Sequence, residues 1–562
     1  MHDVIVGLIL LFVAAISSLF SRLLPVPIPL PLWQIALGVV GSVAGLHVVL
    51  NPDMFMLLFI PPLLFRDAFR MPTREFGQLR GIIFALAVPM VVGTTILCGY
   101  AVHWLIPVLA LPACFALAAV LSPTDAVARG RACWGPSVPR TIVHRCWTAN
   151  PCLNDASGLV CFRFAAVAAV TGAFSLRGAL ATFGLLSLGG IAIGILVCYA
   201  AARLDRMLLR RGYDDPPTQV TFMLLLPFAA YLLAELVGCS GILAAVAGGM
   251  TAKLTGVLQE TQITTRLQAR TTWDMVGFVF NSIIFLLLGL QLPDLAGNGI
   301  ALVRQAGRSP WLLLLVIVAI HLAMCVLRFA GLWIILAVAA WRARHERGAM
   351  HWPGLRTVLV GTVAGVRGAV TLAAVLSLPQ AVGDVPGFPD RDLLVTLATG
   401  VILVSLLAAS LTLPWLARGM PAGQVDPQAR EVDWARLVLL RTMIRAMRDE
   451  QAALTARAKI RDEAGETRIE IIARLMQEYE NRLGQLQRDG DGAASAAQVG
   501  SIRRMRLELA IRLTNLRASR IELRNLRAAQ YVNDETESLL QQEMDYEEQV
   551  LRNRARTLPR VA

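Results

Sequence analysis

The chain has 562 residues, 56% of them apolar and only 16% charged, and a mean hydropathy of +0.60. A soluble chain of this size carries about 25% charged residues, so an ordinary soluble protein is excluded and a polytopic α-helical membrane protein is indicated. The net charge of +13 does not signal nucleic acid, because the basic residues fall in short loops and in the C-terminal region, as membrane topology requires.

The first apolar segment, VIVGLILLFVAAISSLF, has no basic leader and no small-residue cleavage site, so it reads as a retained span and not a signal peptide. Runs near the roughly 20 residues needed to cross a bilayer then recur along the chain. They give 13 expected spans, at about 3–21, 30–48, 53–66, 81–106, 110–128, 153–173, 178–202, 219–237, 240–255, 273–292, 310–340, 356–378 and 392–417. Alternate loops are rich in arginine (Arg66, Arg70, Arg74 and Arg80; Arg203, Arg206, Arg210 and Arg211), whereas the loops between them carry only Arg177, Arg304, Arg308 and Arg391. The positive-inside rule places the N-terminus outside and the C-terminus in the cytoplasm of a bacterial inner membrane. Nine cysteines are scattered, mostly through apolar spans, and read as small buried hydrophobes.

After about 420 the text turns to Arg, Glu, Gln, Leu and Ala, with apolar residues at helical spacing in IEIIARLMQEYENRLGQLQ and IRRMRLELAIRLTNLRASRIELRNLRAAQ. The expected organisation is a transmembrane domain over 1–418 and a cytoplasmic helical, coiled-coil-like tail over 419–562.

A charge near the bilayer centre is costly, so each ionisable residue inside a span is a functional candidate. Six qualify: Asp125, Asp155, Arg163, Glu235, Arg328 and Arg367. Asp125 lies in FALAAVLSPTDAVA, where Pro123 disturbs the helix and Ser122 and Thr124 stand beside the break. Broken helices in transporters expose carbonyls and helix ends to an ion near the midplane. Asp155 lies in LNDASGLV beside Asn154. Carboxylate, amide and hydroxyl oxygens suit a small hard cation, which makes Asp155, Asp125 and Thr124 candidate cation ligands; either aspartate could instead cap a helix. Arg367, in TVAGVRGAVTLAAVLSLP, needs a carboxylate or helix C-termini as partner. It reads as a structural buried charge, as do Arg328 and Glu235, while Arg163 reads as a snorkelling side chain. No metal motif and no nucleophile–base constellation is present, so the chain is not read as an enzyme, and no cofactor is expected beyond the transported ion.

In order, PPLLFRDAFRMP (61–72), FALAAVLSPTDAVA (115–128), LNDASGLV (153–160), SGILAAVAGGM (240–250), FNSIIFLLLGLQLP (280–293), GVRGAVTLAAVLSLP (365–379) and RDLLVTLATGVILVSLLAASLTLP (391–414) resemble the bacterial sodium/proton antiporters of the monovalent cation:proton antiporter family. The resemblance covers nearly all of residues 1–418. It implies an all-α homodimer in the lipid bilayer, with inverted repeats, a dimerisation part and a mobile core holding two crossed, unwound helices. It implies that Asp155 binds either proton or cation, with Asn154, Thr124 and Asp125 forming the site, and that exchange of Na+ for H+ is electroneutral. Burial disfavours an ionised carboxylate and a bound cation favours it, so the two ions compete for one group.

Two departures stand out. The family reads Gly-Glu-Ser (or Ala)-Leu-Leu-Asn-Asp where this chain has Ala149-Asn150-Pro151-Cys152-Leu153-Asn154-Asp155. Asn150 therefore replaces a glutamate that supplies or holds a ligand, and a transport-impaired homologue, channel-like protein or regulatory scaffold is the alternative. Reading Arg145–Cys152 one base out of phase, with suitable third bases, spells Leu-Leu-Asp-Gly-Glu-Ser-Leu ahead of Leu153, so a compensated frameshift also accounts for this text. The second departure is Arg66 in LLFRDAF, where many relatives have glutamate; Asp67 is the substitute candidate partner for Arg367.

Overall fold

In this computed structural model the described residues are 2–23, 29–46, 52–71, 73–124, 151–171, 176–213, 215–256, 261, 263–305, 307, 309–347, 354–376, 378, 388, 390–417 and 427–457, with shorter helical pieces between 469 and 552. They are helical throughout apart from turns and short extended connections. Two compact units form, Met1–Gly423 and Gln424–Ala562.

The first unit contains α1 (His2–Leu23), α2 (Leu30–Val43), α3 (Pro52–Arg70), α4 (Thr73–Ala87), α5 (Pro89–Leu105), α6 (Leu111–Leu121), α7 (Pro151–Thr171), α8 (Leu176–Arg210), α9 (Pro216–Leu236), α10 (Gly241–Leu254), α11 (Ile263–Gln305), α12 (Trp311–Arg347), α13 (Leu355–Val363), α14 (Ala369–Leu376) and α15 (Arg391–Ala417). Among the described residues, six stretches are long and apolar enough to span a bilayer, from Gly81–Leu105 to Arg391–Leu416.

The helices differ from the expected spans where backbone chemistry intervenes. The fifth span ends as a helix at Leu121, with Ser122 still in αR backbone as its C-cap (φ −69°, ψ −38°), because Pro123 has no N–H to continue the ladder. The twelfth span is two short helices, with residues 364–368 non-helical between them. The tenth, expected over 273–292, is a single helix of 43 residues. Its polar ends continue the backbone hydrogen bonding past the apolar segment.

The most extensive contacts fall into two sets, joined where α11 packs on α15 and α14 and where α3 and α10 touch α7. In one, α2 lies along α11, α10 packs on α8 and α3, and α9 packs on α8 and α10. In the other, α6 packs on α5 and α7, and α12 packs on α5, α13 and α15. Lipid tails supply no hydrophobic drive between helices, so close van der Waals approach carries association. At the α2–α11 crossing a Cβ built on Gly289 would stand 2.1 Å from the Ile35 carbonyl oxygen, and one on Gly38 would stand 2.3 Å from the Leu286 carbonyl oxygen. The obstacles are backbone atoms, which cannot swing aside. Gly289→Val is therefore expected to destabilise the unit by roughly 1–3 kcal/mol, the usual range for overpacking. A lowered melting temperature in detergent, read by tryptophan fluorescence, checks it; an unchanged one refutes it. A buried polar link lies beside this crossing, where Gln34 Nε2 donates to Ser17 Oγ at 3.2 Å and to Ser282 Oγ at 2.8 Å.

The second unit begins with α16 (Pro427–Arg457). Farther on, Leu509 and Leu516 cluster with Leu551, and Arg520 pairs with Asp545 and Glu548. Helical pieces there meet through an apolar seam flanked by ion pairs.

Candidate functional site

The two interrupted helices meet at their breaks. α6 ends with Leu121, leaving terminal carbonyls without intrahelical donors. Arg367, in the break between α13 and α14, is 2% exposed. Its Nε donates to the Leu121 carbonyl at 3.0 Å and its Nη1 to the Gly365 carbonyl at 3.1 Å. Its backbone N–H donates to Ser405 Oγ at 3.4 Å. One guanidinium thus joins both breaks and faces the negative end of α6. Asp67 does not serve as its partner, which corrects that expectation: Asp67 Oδ1 accepts from Arg66 Nε at 3.0 Å and Nη2 at 2.8 Å. A fork of donors reaches the adjacent carboxylate of its own helix in preference to one across the bundle. The helix C-terminus, not a carboxylate, holds Arg367.

α7 approaches the first break closely. A Cβ on Gly158 would stand 2.1 Å from Pro123 Cγ, so glycine is required where α7 crosses the proline. This crossing sets the first turns of α7 against Thr124. Asn154 is 4% exposed and Asp155 5%. Asn154 Nδ2 donates to Thr124 Oγ1 at 3.3 Å. Arg328, 6% exposed, donates through Nη2 to the same oxygen at 3.3 Å and through Nε to the Gly361 carbonyl at 3.4 Å. Gly365 leaves room for that guanidinium, since a Cβ there would stand 2.5 Å from Arg328 Nε.

The arrangement brings Thr124, Asn154 and Arg328 into one buried cluster, with Asp155 next in sequence. It also gives Thr124 a role that the sequence does not reveal. A hydroxyl oxygen has two acceptor lone pairs, and two nitrogen donors address this one. A cation ligated by Thr124 has to displace one of them. Asp125 and Asn150 lie outside the described residues.

Glu235 is corrected from a buried structural charge to a partly exposed one. Its side chain is 37% exposed, and it pairs at 3.0 Å with Arg163, itself 36% exposed. Arg163 therefore ends in an ion pair. Sequence reasoning did not place several buried polar side chains, among them Asp205 (6% exposed) and the following three. Arg66 is 7% exposed and runs over Gly277, where a Cβ would meet its Nη1. His321 is buried, with Nε2 3.6 Å from Cys325 Sγ. Ser405 is held in its helix by the Ile402 carbonyl. The signal for Arg66 was present in LLFRDAF; a lone serine among apolar residues carries none.

Comparison with known proteins finds the same kind of molecule. Residues 8–419 match the family described as sodium/hydrogen exchanger, transmembrane. The chain is 39% identical over 549 residues to an Escherichia coli protein named uncharacterized Na(+)/H(+) exchanger YjcE, covering 97% of this chain and 98% of that one. It is 36% identical over 522 residues to the sodium, potassium, lithium and rubidium/H(+) antiporter of Bacillus pumilus, covering 92% and 74%. Among solved structures, the sodium proton antiporter MjNhaP1 of Methanocaldococcus jannaschii superposes with a TM-score of 0.55 at 17% identity, over 75% of this chain and all of that one; this is a likeness of fold.

Proposed function

We propose that the chain, which belongs to the sodium/hydrogen exchanger family, is a secondary active antiporter that exchanges Na+ for H+ one for one through the Asp155 carboxylate. The observation that carries this reading is the burial of Asn154 and Asp155 together at the start of α7, with Thr124 of the broken helix bonded to Asn154. Asn154 is neutral, so the pair offers one titratable group. In this reading Asp155 alone exchanges a proton for a monovalent cation, each carrying one positive charge, while Asp125 stays ionised and only lends oxygens, and electroneutral exchange follows from that count. Asp125 and Thr124 complete the oxygen set once a donor leaves Thr124. The site changes sides only when loaded, which couples the two flows. The proton gradient drives sodium out, the protein acts as a homodimer in the inner membrane, and the C-terminal unit lies in the cytoplasm.

The alternative, a transport-impaired homologue, is favoured by Asn150 alone, because the family glutamate at that place is a carboxylate this chain lacks. One experiment separates the two. In everted vesicles, dequenching of a pH-sensitive dye on adding Na+ is expected from the full chain, unaffected by collapsing the membrane potential. Asn150→Glu is expected to lower the half-saturating Na+ concentration by roughly 3- to 10-fold, the effect of one added ligand charge. No response from the unaltered chain with a response from Asn150→Glu establishes impairment; no response from either defeats the antiport reading. K+ and Li+ in parallel rank the cations.

A further inference from the structure

The close crossings lie mostly within the two helix groups. In the group holding α8, α9 and α10, a Cβ on Gly194 would stand 2.1 Å from the Ala244 carbonyl oxygen, and one on Gly249 would stand 2.4 Å from that of Phe65 in α3. In the other group, Gly158 fixes α7 against Pro123. Glycine at these crossings lets the helices approach closely. Between α7 and the α9–α10 turn, beside the apolar packing of α7 on α10, there is a connection of another kind. Arg163 Nη1, on the helix that carries Asn154 and Asp155, donates to Glu235 Oε1 at 3.0 Å. The same oxygen accepts the Gly241 backbone N–H at 3.2 Å. Gly238, at φ +77°, makes the turn that brings the start of α10 back to Glu235; L side chains seldom adopt that conformation. The carboxylate is thereby anchored to its own group at both ends of the turn, whereas its other bond reaches across to the site helix. Eight residues, about 12 Å of helix, separate Arg163 from Asp155.

We propose that Arg163 and Glu235 form a breakable latch between the two helix groups, and that it biases the exchanger toward the arrangement seen here. This rests on the antiport reading, in which one group moves against the other. Two long side chains can part and re-form without disturbing either group's backbone contacts. An ion pair that water reaches is weak, which suits a bias between states that differ by little free energy.

The test uses the full chain in proteoliposomes. Glu235→Gln keeps an oxygen for the Gly241 N–H and removes the charge; Arg163→Gln removes the other charge. Each is expected to shift the half-saturating Na+ concentration or maximal rate by about threefold, in the same direction, as loss of a modest ion pair does to a two-state equilibrium. The double variant should go no further than either single one. Arg163→Glu combined with Glu235→Arg should recover toward the unaltered rate relative to Glu235→Arg alone, both lacking the Gly241 bond. Additive effects, unchanged kinetics, or a lowered melting temperature with unchanged kinetics each overturn the latch. If neither the unaltered chain nor Asn150→Glu shows cation-coupled flux, the antiport reading fails separately. Amide hydrogen exchange along 151–171 then decides: faster exchange in Glu235→Gln supports the latch and unchanged exchange refutes it.

Discussion

Asp155→Asn is expected to reduce Na+-dependent proton movement to background, a loss of about 100-fold or more, because no other group in the proposed cycle takes up both ions. Asparagine matches aspartate in size, so the packing of α7 against the first helix break, fixed by Gly158 and Pro123, is retained. The variant is expected to express and to elute as the unaltered chain does. Asp155→Glu provides the graded comparison. It keeps a carboxylate but moves it by one methylene within a cluster where Asn154 and Thr124 are 4% and 3% exposed, and it should retain partial activity with weakened Na+ dependence. Full activity in Asp155→Asn, measured in everted vesicles, removes the central carboxylate from the mechanism. Activity lost together with folding leaves Asp155→Glu to report, since a merely structural role for the charge predicts unchanged Na+ dependence there.

Thr124 refines how that carboxylate is loaded. With Arg328 and Asn154 both donating to its hydroxyl, the oxygen is committed to protein partners in the arrangement described. Cation entry then requires a local rearrangement as well as deprotonation. A neutral amide and a guanidinium differ in how they can withdraw. Arg328 is also tied to the Gly361 carbonyl beside the second break, so its departure disturbs two elements, and that of Asn154 disturbs one.

The sequence makes the polar exceptions legible and the apolar rule opaque. Pro123 announces the first break because proline removes a backbone donor. Asn154, Asp155, Arg328 and Arg367 announce the buried cluster because nothing else explains them in hydrocarbon. By contrast, α6 and α10 are apolar nearly all round, and an amphipathic stripe that would indicate the inward face is missing. Hydropathy therefore does not reveal that α10 packs on α3 and α8. The close crossings are set by glycines whose partners lie far along the chain, as Gly38 with Leu286. Partner choice among charges fails for a related reason. Glu235 and Asp67 each meet an arginine, but which one depends on geometry that spacing alone does not contain.

Arg367→Met is expected to be the most damaging substitution to the fold. Replacing a whole buried ion pair by apolar groups is often tolerated, because both charges escape desolvation together. Here the partners include the Leu121 and Gly365 carbonyls, which no side-chain change removes, beside the Cys325 thiol. Each buried carbonyl left without a donor costs roughly 1–3 kcal/mol, so the pair costs about 2–6 kcal/mol, set against the relief of one desolvated guanidinium. The loss prevails because Arg367 ties the α6 terminus directly to the second break, a link that Arg328, through Thr124 and Gly361, does not replace. Arg367→Lys should fall between the two, since one ammonium cannot reproduce a planar fork addressing two carbonyls. The expected observation is a poor yield of monodisperse protein for Arg367→Met and a partly recovered melting temperature for Arg367→Lys. A Met variant that melts with the unaltered chain shows that the breaks hold without the guanidinium, and a Lys variant as damaged as Met shows that geometry outweighs charge.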